Sequence, residues 1–223
     1  IYSAVITLIF AATMPSFETI TLGQANYLLL FLILLAFVLY GKDRIFLAAL
    51  CLSAAVCLKI TPVFLLIYFL FVSRKRNFIR YFLGSLLCFL GVFIFAVGTS
   101  QLAYYAFHIL PNFSDLYLFA NNKSLVAIFA RFFHANPMTN PLIESSGLLL
   151  LSKALIGGVL GFALYKYLSA CRANSSGLAD GEKHRNNVIS YSLIMVFTLL
   201  ISPILEVHHL VAALPALSAF LVY

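Results

Sequence analysis

Hydrophobic runs joined by short polar links leave this chain little choice of fold. They cover residues 1–13, 25–40, 45–58, 62–72, 81–98, 147–168, 188–201 and 210–223. A soluble domain carries about 25% charged residues, whereas this chain carries 9% against 63% hydrophobic. The expected fold class is all-α: a polytopic integral membrane helical bundle forming a single transmembrane domain over residues 1–223. The chain opens at Ile1, already inside a hydrophobic run, with no basic n-region or cleavage site. Residues 1–12 therefore do not read as a signal peptide. The expectation is an N-terminally truncated chain, the C-terminal part of a larger protein.

A relaxed crossing needs about 20 apolar residues, so residues 45–72 are too long for one helix and short for two. Lys59-Ile60-Thr61-Pro62 sits at their middle. Proline removes a backbone donor and disfavours helix at the residue before it, which places a break there. Basic residues flank the segment on both sides, with Lys42 and Arg44 before it and Arg74, Lys75, Arg76 and Arg80 after it. Basic loops gather on the cytoplasmic side. Both can do so only if residues 45–72 go out and back as a hairpin of two short helices with broken geometry. Local thinning of the bilayer accommodates such helices at modest cost.

The remaining topology follows. Residues 81–98 run outward, 99–146 form an external loop, 147–168 return, and 169–187 make a solvated cytoplasmic loop. Residues 188–201 go out again, 202–209 turn outside, and 210–223 head back. Ten of the fourteen Lys and Arg residues then fall on the cytoplasmic side. The net charge of +7 thus reflects topology and anionic lipid, and no nucleic-acid partner is expected. Within the external loop, Leu125, Ile128, Phe129, Phe132 and Phe133 recur at helical spacing. They predict a short amphipathic interfacial helix with Ser124 as N-cap. No internal repeat is visible. The four cysteines, Cys51, Cys57, Cys88 and Cys171, show no CxxC or Cys/His ligand spacing, and no metal site or cofactor is predicted.

On this topology the border-zone polar groups collect at the external face: Gln24, Asn26, Lys59, Asn122, Ser124, Arg131, Ser202, Glu206, His208 and His209. Polar groups near hydrocarbon are retained because they pair or because they function, and a one-sided set suggests one site. Lys59 reads either as a snorkelling side chain or as a cation for phosphate beside a helix break. Arg131 reads as an interfacial anchor or as a fork for phosphate or sugar hydroxyls. Gln24 and Asn26 after Gly23 fit hydroxyl recognition, although Asn26 also suits a bond to its own backbone. Glu206 and His209 share a helical face, three residues apart. Adjacent His208 and His209 diverge, so hydrogen bonding or proton handling suits them better than a metal. Their alternative is an ordinary polar border.

Several of these motifs occur together and in the same order in one family. They are Leu22-Gly23-Gln24-Ala25-Asn26, Lys59-Ile60-Thr61-Pro62 before Arg74-Lys75-Arg76, Asn122-Lys123-Ser124 before Arg131, and Ser202-Pro203 before His208-His209. The chain resembles glycosyltransferase family 87, membrane enzymes of the GT-C type similar to polyprenol-phosphate-mannose-dependent alpha-mannosyltransferases. The resemblance implies transfer of a hexose, typically mannose, from a polyprenyl-phosphate carrier to a glycan or lipid-linked acceptor. It also implies an active site on the external face of a bacterial cytoplasmic (inner) membrane. In such enzymes an aspartate of the first external loop acts as general base; that region is expected upstream of Ile1, which would leave this chain by itself catalytically silent. Lys59, Arg131, Asn122, Ser124, Gln24 and Asn26 then become substrate-binding candidates, with Glu206, His208 and His209 in support. A Trp that often precedes the paired His in the family is replaced here by residues 204–207. Two other classes compete. A transporter or flippase for a lipid-linked or anionic substrate would need polar groups at the midplane and on both sides, and a non-catalytic membrane subunit needs no site at all.

Overall fold

The computed structural model describes residues 14–72, 76–109, 122, 124–135, 140–174, 179–202, 209, 210, 213 and 216. Among them the secondary structure is entirely helical. The helices are α1 (Met14–Thr21), α2 (Asn26–Gly41), α3 (Ile45–Leu58), α4 (Arg76–Val97), α5 (Thr99–Tyr104), α6 (Leu125–Phe133), α7 (Ser146–Asn174) and α8 (Asp180–Ile201). Residues Asn77–Val97 and Ser146–Cys171 are each long and apolar enough to cross a membrane, and α1 with α2 forms a third candidate bent by 116°. This is an integral membrane protein.

Two tight turns define α2. At its start, Gly23 adopts φ 61° while Gly23 N–H donates to Ile20 O (3.1 Å) and Gln24 N–H to Thr19 O (3.0 Å). These are the two bonds that close a helix through a left-handed residue. At its end the same pair recurs, Asp43 N–H to Tyr40 O (3.1 Å) and Arg44 N–H to Leu39 O (2.9 Å), with Asp43 at φ 59°. Aspartate is one of the few side chains that tolerate this conformation. The Gly23 turn bends the chain by 116°, whereas the Asp43 turn reverses it, so α2 and α3 pack along their lengths.

The break after α3 falls where proline places it. Lys59 is extended (φ −155°, ψ 130°), a 3₁₀ turn runs over Thr61–Leu65 with proline in its first positions, and a π-helical turn follows over Tyr68–Val72. The chain then returns to the level it left. Tyr40, at the end of α2, meets Phe69 (ring centroids 4.8 Å) and Phe78 at the start of α4 (5.6 Å), while Phe69 stacks on Phe78 at 4.1 Å. Residues 45–72 are therefore an out-and-back hairpin as expected, with a looser second arm than a plain helix. The Lys42/Arg44 turn and the start of α4 share one end of the bundle, where Phe46 also meets Tyr81 (5.6 Å).

Small residues hold the centre. Ala48, Ala49, Leu52 and Ala55 of α3 are wholly buried, a face that lets neighbouring backbones approach closely. Ser53 lies among them and its hydroxyl is shared between Ala49 O (2.9 Å) and Phe82 O (3.0 Å), linking α3 to α4. From α8, Tyr191 is buried, donates to Ile33 O of α2 (2.8 Å), and packs on Phe37 (4.6 Å) and Tyr68 (5.1 Å).

Two sequence expectations need correction. The stretch 169–187 is not a solvated loop throughout: α7 continues to Asn174 and α8 begins at Asp180. The polar and charged residues at these ends continue the helices, because helix propensity does not require hydrocarbon. The stretch 99–146, expected as a loop, likewise begins as helix. Gly98 (φ 91°, ψ 149°) ends α4, then α5 runs into a π turn over Tyr105–Ile109. The expected crossings at 1–13 and most of 210–223 lie outside the described residues.

Candidate functional site

At the end of the bundle opposite the basic turns, four chain segments converge on a small cleft of about 30 Å³. Helix α2 contributes Asn26 and Leu29 from its first turn, and the break contributes Lys59 and Thr61. The last turn of α8 contributes Thr198, Leu199 and Ser202, and beyond it stands His209. Its volume exceeds the roughly 10–15 Å³ that one water needs, and its lining is mixed polar and apolar.

Each wall follows from local sequence. Asn26 is buried because α2 starts there, immediately after the Gly23 turn. Lys59 is half-buried because the proline forces α3 to stop, and its N–H still completes the helix by donating to Ala55 O (3.0 Å). Thr198 and Ser202 are four residues apart and both buried, so α8 presents them on one face. The Thr198 hydroxyl donates back to Ile194 O (2.8 Å), which lets a polar side chain sit deep in an apolar helix. A cation, an amide, two hydroxyls of α8, a threonine at the break and an imidazole thus border one small volume. The cleft itself has room for little more than water, so a phosphate would meet the cation, and sugar hydroxyls the other polar groups, at its mouth.

Of the residues singled out from the sequence, the cleft gathers Asn26, Lys59 and His209, together with Ser202. Gln24, in the turn before α2, is exposed and does not line it. Glu206 and His208 lie outside the described residues. Asn122, Ser124 and Arg131 make a separate corner. The Asn122 side-chain oxygen accepts from Ser124 N–H (3.0 Å). Ser124 Oγ caps α6 by accepting from Ala127 N–H (3.0 Å), as its position predicts. Arg131 Nη2 donates to Asn122 O (2.8 Å), so one arm of the guanidinium holds the turn that precedes its own helix. Thr61, Thr198, Leu29 and Leu199 were missed, although the four-residue spacing of Thr198 and Ser202 was visible in the sequence. Among the described residues no three His, Cys, Asp or Glu side chains lie together as a metal site would require.

Comparison with known proteins agrees with the motif order. The family model of glycosyltransferase family 87 matches residues 1–203. No curated protein and no solved structure matches the chain.

Proposed function

The chain belongs to glycosyltransferase family 87, and from that premise we propose that it transfers a hexose, mannose by family resemblance, from a polyprenyl-phosphate donor to a glycan or glycolipid acceptor at the external membrane face. The observation that carries this reading is the cleft at the end of the bundle away from the basic turns, where Lys59, Asn26, Ser202 and His209 meet. A donor whose phosphate is anchored by a lipid tail reaches such a cleft from the bilayer, without leaving it.

In the reaction the bond between the anomeric carbon and the phosphate oxygen breaks, and the electron pair leaves on polyprenyl phosphate. A bond forms from the acceptor hydroxyl oxygen to the anomeric carbon, and the hydroxyl proton passes to a base. Lys59 opposes the charge that grows on the departing phosphate, an electrostatic role that is stronger in a water-poor site. His209, as a neutral imidazole, both donates to and accepts from sugar hydroxyls, and Asn26 and Ser202 fix the sugar's orientation. By family resemblance an aspartate of an external loop takes that proton, and Glu206 and His208, which lie outside the described residues, are assigned a supporting role beside it. Arg131, braced on Asn122 in the separate corner, is a second cation that a donor phosphate extending beyond the cleft would meet.

The test is donor-dependence kinetics on full-length protein in membranes. A charge-assisted bond is worth about 1.5–3 kcal/mol, so Lys59→Ala and Arg131→Ala should each lower kcat/KM for the polyprenyl-phosphate sugar roughly tenfold or more. Lys59→Arg should recover part of that loss. His209→Ala should reduce transfer while the protein still inserts. Unchanged donor dependence in both cation variants would refute the phosphate assignment.

A further inference from the structure

A second cleft lies at the other end of the bundle, where the α2–α3 turn meets the start of α4. Its volume is about 340 Å³, and Asp43, Arg44, Phe46, Leu47, Asn77 and Tyr81 line it. Nothing in the proposed glycosyl transfer uses it. We propose that this cleft binds the phosphate headgroup of an anionic phospholipid from the leaflet on the side of the basic turns.

Charge, apolar continuity and position support the assignment together. Arg44 is exposed in the lining, with Lys42 and Arg80 exposed on the same two chain segments. The Asp43 carboxylate is also in the lining, where Arg44 and the flanking Lys42 and Arg80 outnumber it. Phe46 (52% exposed) and Tyr81 (42% exposed) stand edge to face in the same lining. Their faces continue into the lipid-facing surface, where Leu47, Leu83 and Leu87 are also exposed. A soluble anion needs the cation but has no use for that apolar wall, whereas a phospholipid uses both. Aromatic side chains favour the headgroup level, which puts the cleft at the depth of a lipid phosphate. Arg44 opens α3 and Asn77 lies in the first turn of α4, so both helices direct their positive ends toward it.

The experiment is native mass spectrometry of the purified full-length protein, delipidated in neutral detergent and titrated with phosphatidylglycerol or phosphatidylcholine. A site predicts saturable retention of one phosphatidylglycerol with preference over phosphatidylcholine. Arg44→Gln should weaken that retention about fivefold, the effect expected of one basic residue near an anionic lipid. Asn77→Asp, which adds a negative charge to the lining, should weaken it at least as much, and it keeps the proposal testable if the Arg44 variant folds poorly. Lys166, exposed on α7 away from the cleft, is the control: Lys166→Gln should change nothing. Equal loss in the Lys166 variant would show a diffuse basic belt and overturn the site. Glycerol phosphate bound as tightly as the lipid would overturn the lipid assignment.

Discussion

Replacing Tyr191 separates what a buried hydroxyl contributes from what its ring contributes. Tyr191→Phe keeps the ring and removes only the bond to Ile33 O, 2.8 Å long. That carbonyl lies inside α2 and remains an acceptor for its own helix, so no bare polar group results. Interhelical hydrogen bonds in membrane bundles average about 0.6 kcal/mol. With about 2–4 °C of Tm per kcal/mol for a chain of this size, the shift should be about 2 °C. Tyr191→Ala also removes the ring from Phe37 (4.6 Å), Tyr68 (5.1 Å) and Phe69 (6.0 Å). Truncating a buried aromatic costs about 3–5 kcal/mol, and the lower end applies because helix association in lipid lacks the full hydrophobic drive. About 3 kcal/mol corresponds to a drop of roughly 6–12 °C. The assay is a thermal ramp in detergent with a thiol-reactive dye reporting the half-buried Cys51 of α3, after Cys57, Cys88 and Cys171 are replaced by Ala in all variants because Cys57 and Cys88 are exposed. Equal shifts in the two variants would show that the hydroxyl, not the ring, holds the seam. A shift under about 2 °C for Tyr191→Ala would refute the packing argument altogether. Because Tyr191 and Ile33 lie on the helices that carry Thr198 and Asn26, the Ala variant should also lose transfer activity at temperatures where it remains folded.

Two other outcomes follow from the same structure. With native cysteines replaced, an impermeant maleimide added from outside should modify Ile60→Cys, whose position is 74% exposed, and spare Asp43→Cys; the reverse pattern would invert the topology. Ser124→Ala removes the cap of α6, worth about 1 kcal/mol, so hydrogen exchange at the Ala127 amide should accelerate about fivefold, and unchanged protection would show that the cap is not used.

The sequence disclosed most where a single residue forces the backbone. Pro62 announced the break after Lys59, and the break made the hairpin, which in turn set the Lys42/Arg44 turn and the start of α4 at one end. Ser124 announced α6 for the same local reason. Less was legible where the determinant is tertiary. The π turn over Tyr68–Val72 sits where Tyr40, Tyr68, Phe69 and Phe78 pack together, a meeting that no linear pattern reveals. Thr198 passed unnoticed because it sits in an apolar run and satisfies its hydroxyl within its own helix. Arg131 read as an interfacial anchor or as a fork for phosphate or sugar hydroxyls, yet one arm of it holds the Asn122 carbonyl, nine positions earlier in the chain. For residues 175–178 and 203–208 the comparison lies outside what the structure describes.

The bend of 116° between α1 and α2 has a mechanical consequence. With α2 upright, α1 lies nearly flat, and it turns Met14, Phe17 and Ile20 outward (60–68% exposed) while Ser16 and Thr19 face inward. An apolar underside resting in a leaflet works like the float on a fishing line. Pulling it up exposes the three side chains to water, and pushing it down drowns the backbone of the turn. Since the Gly23 turn is closed by two hydrogen bonds, it passes this restoring force to the first turn of α2. Asn26, only five residues beyond Thr21, is thereby tied to wherever that float rides.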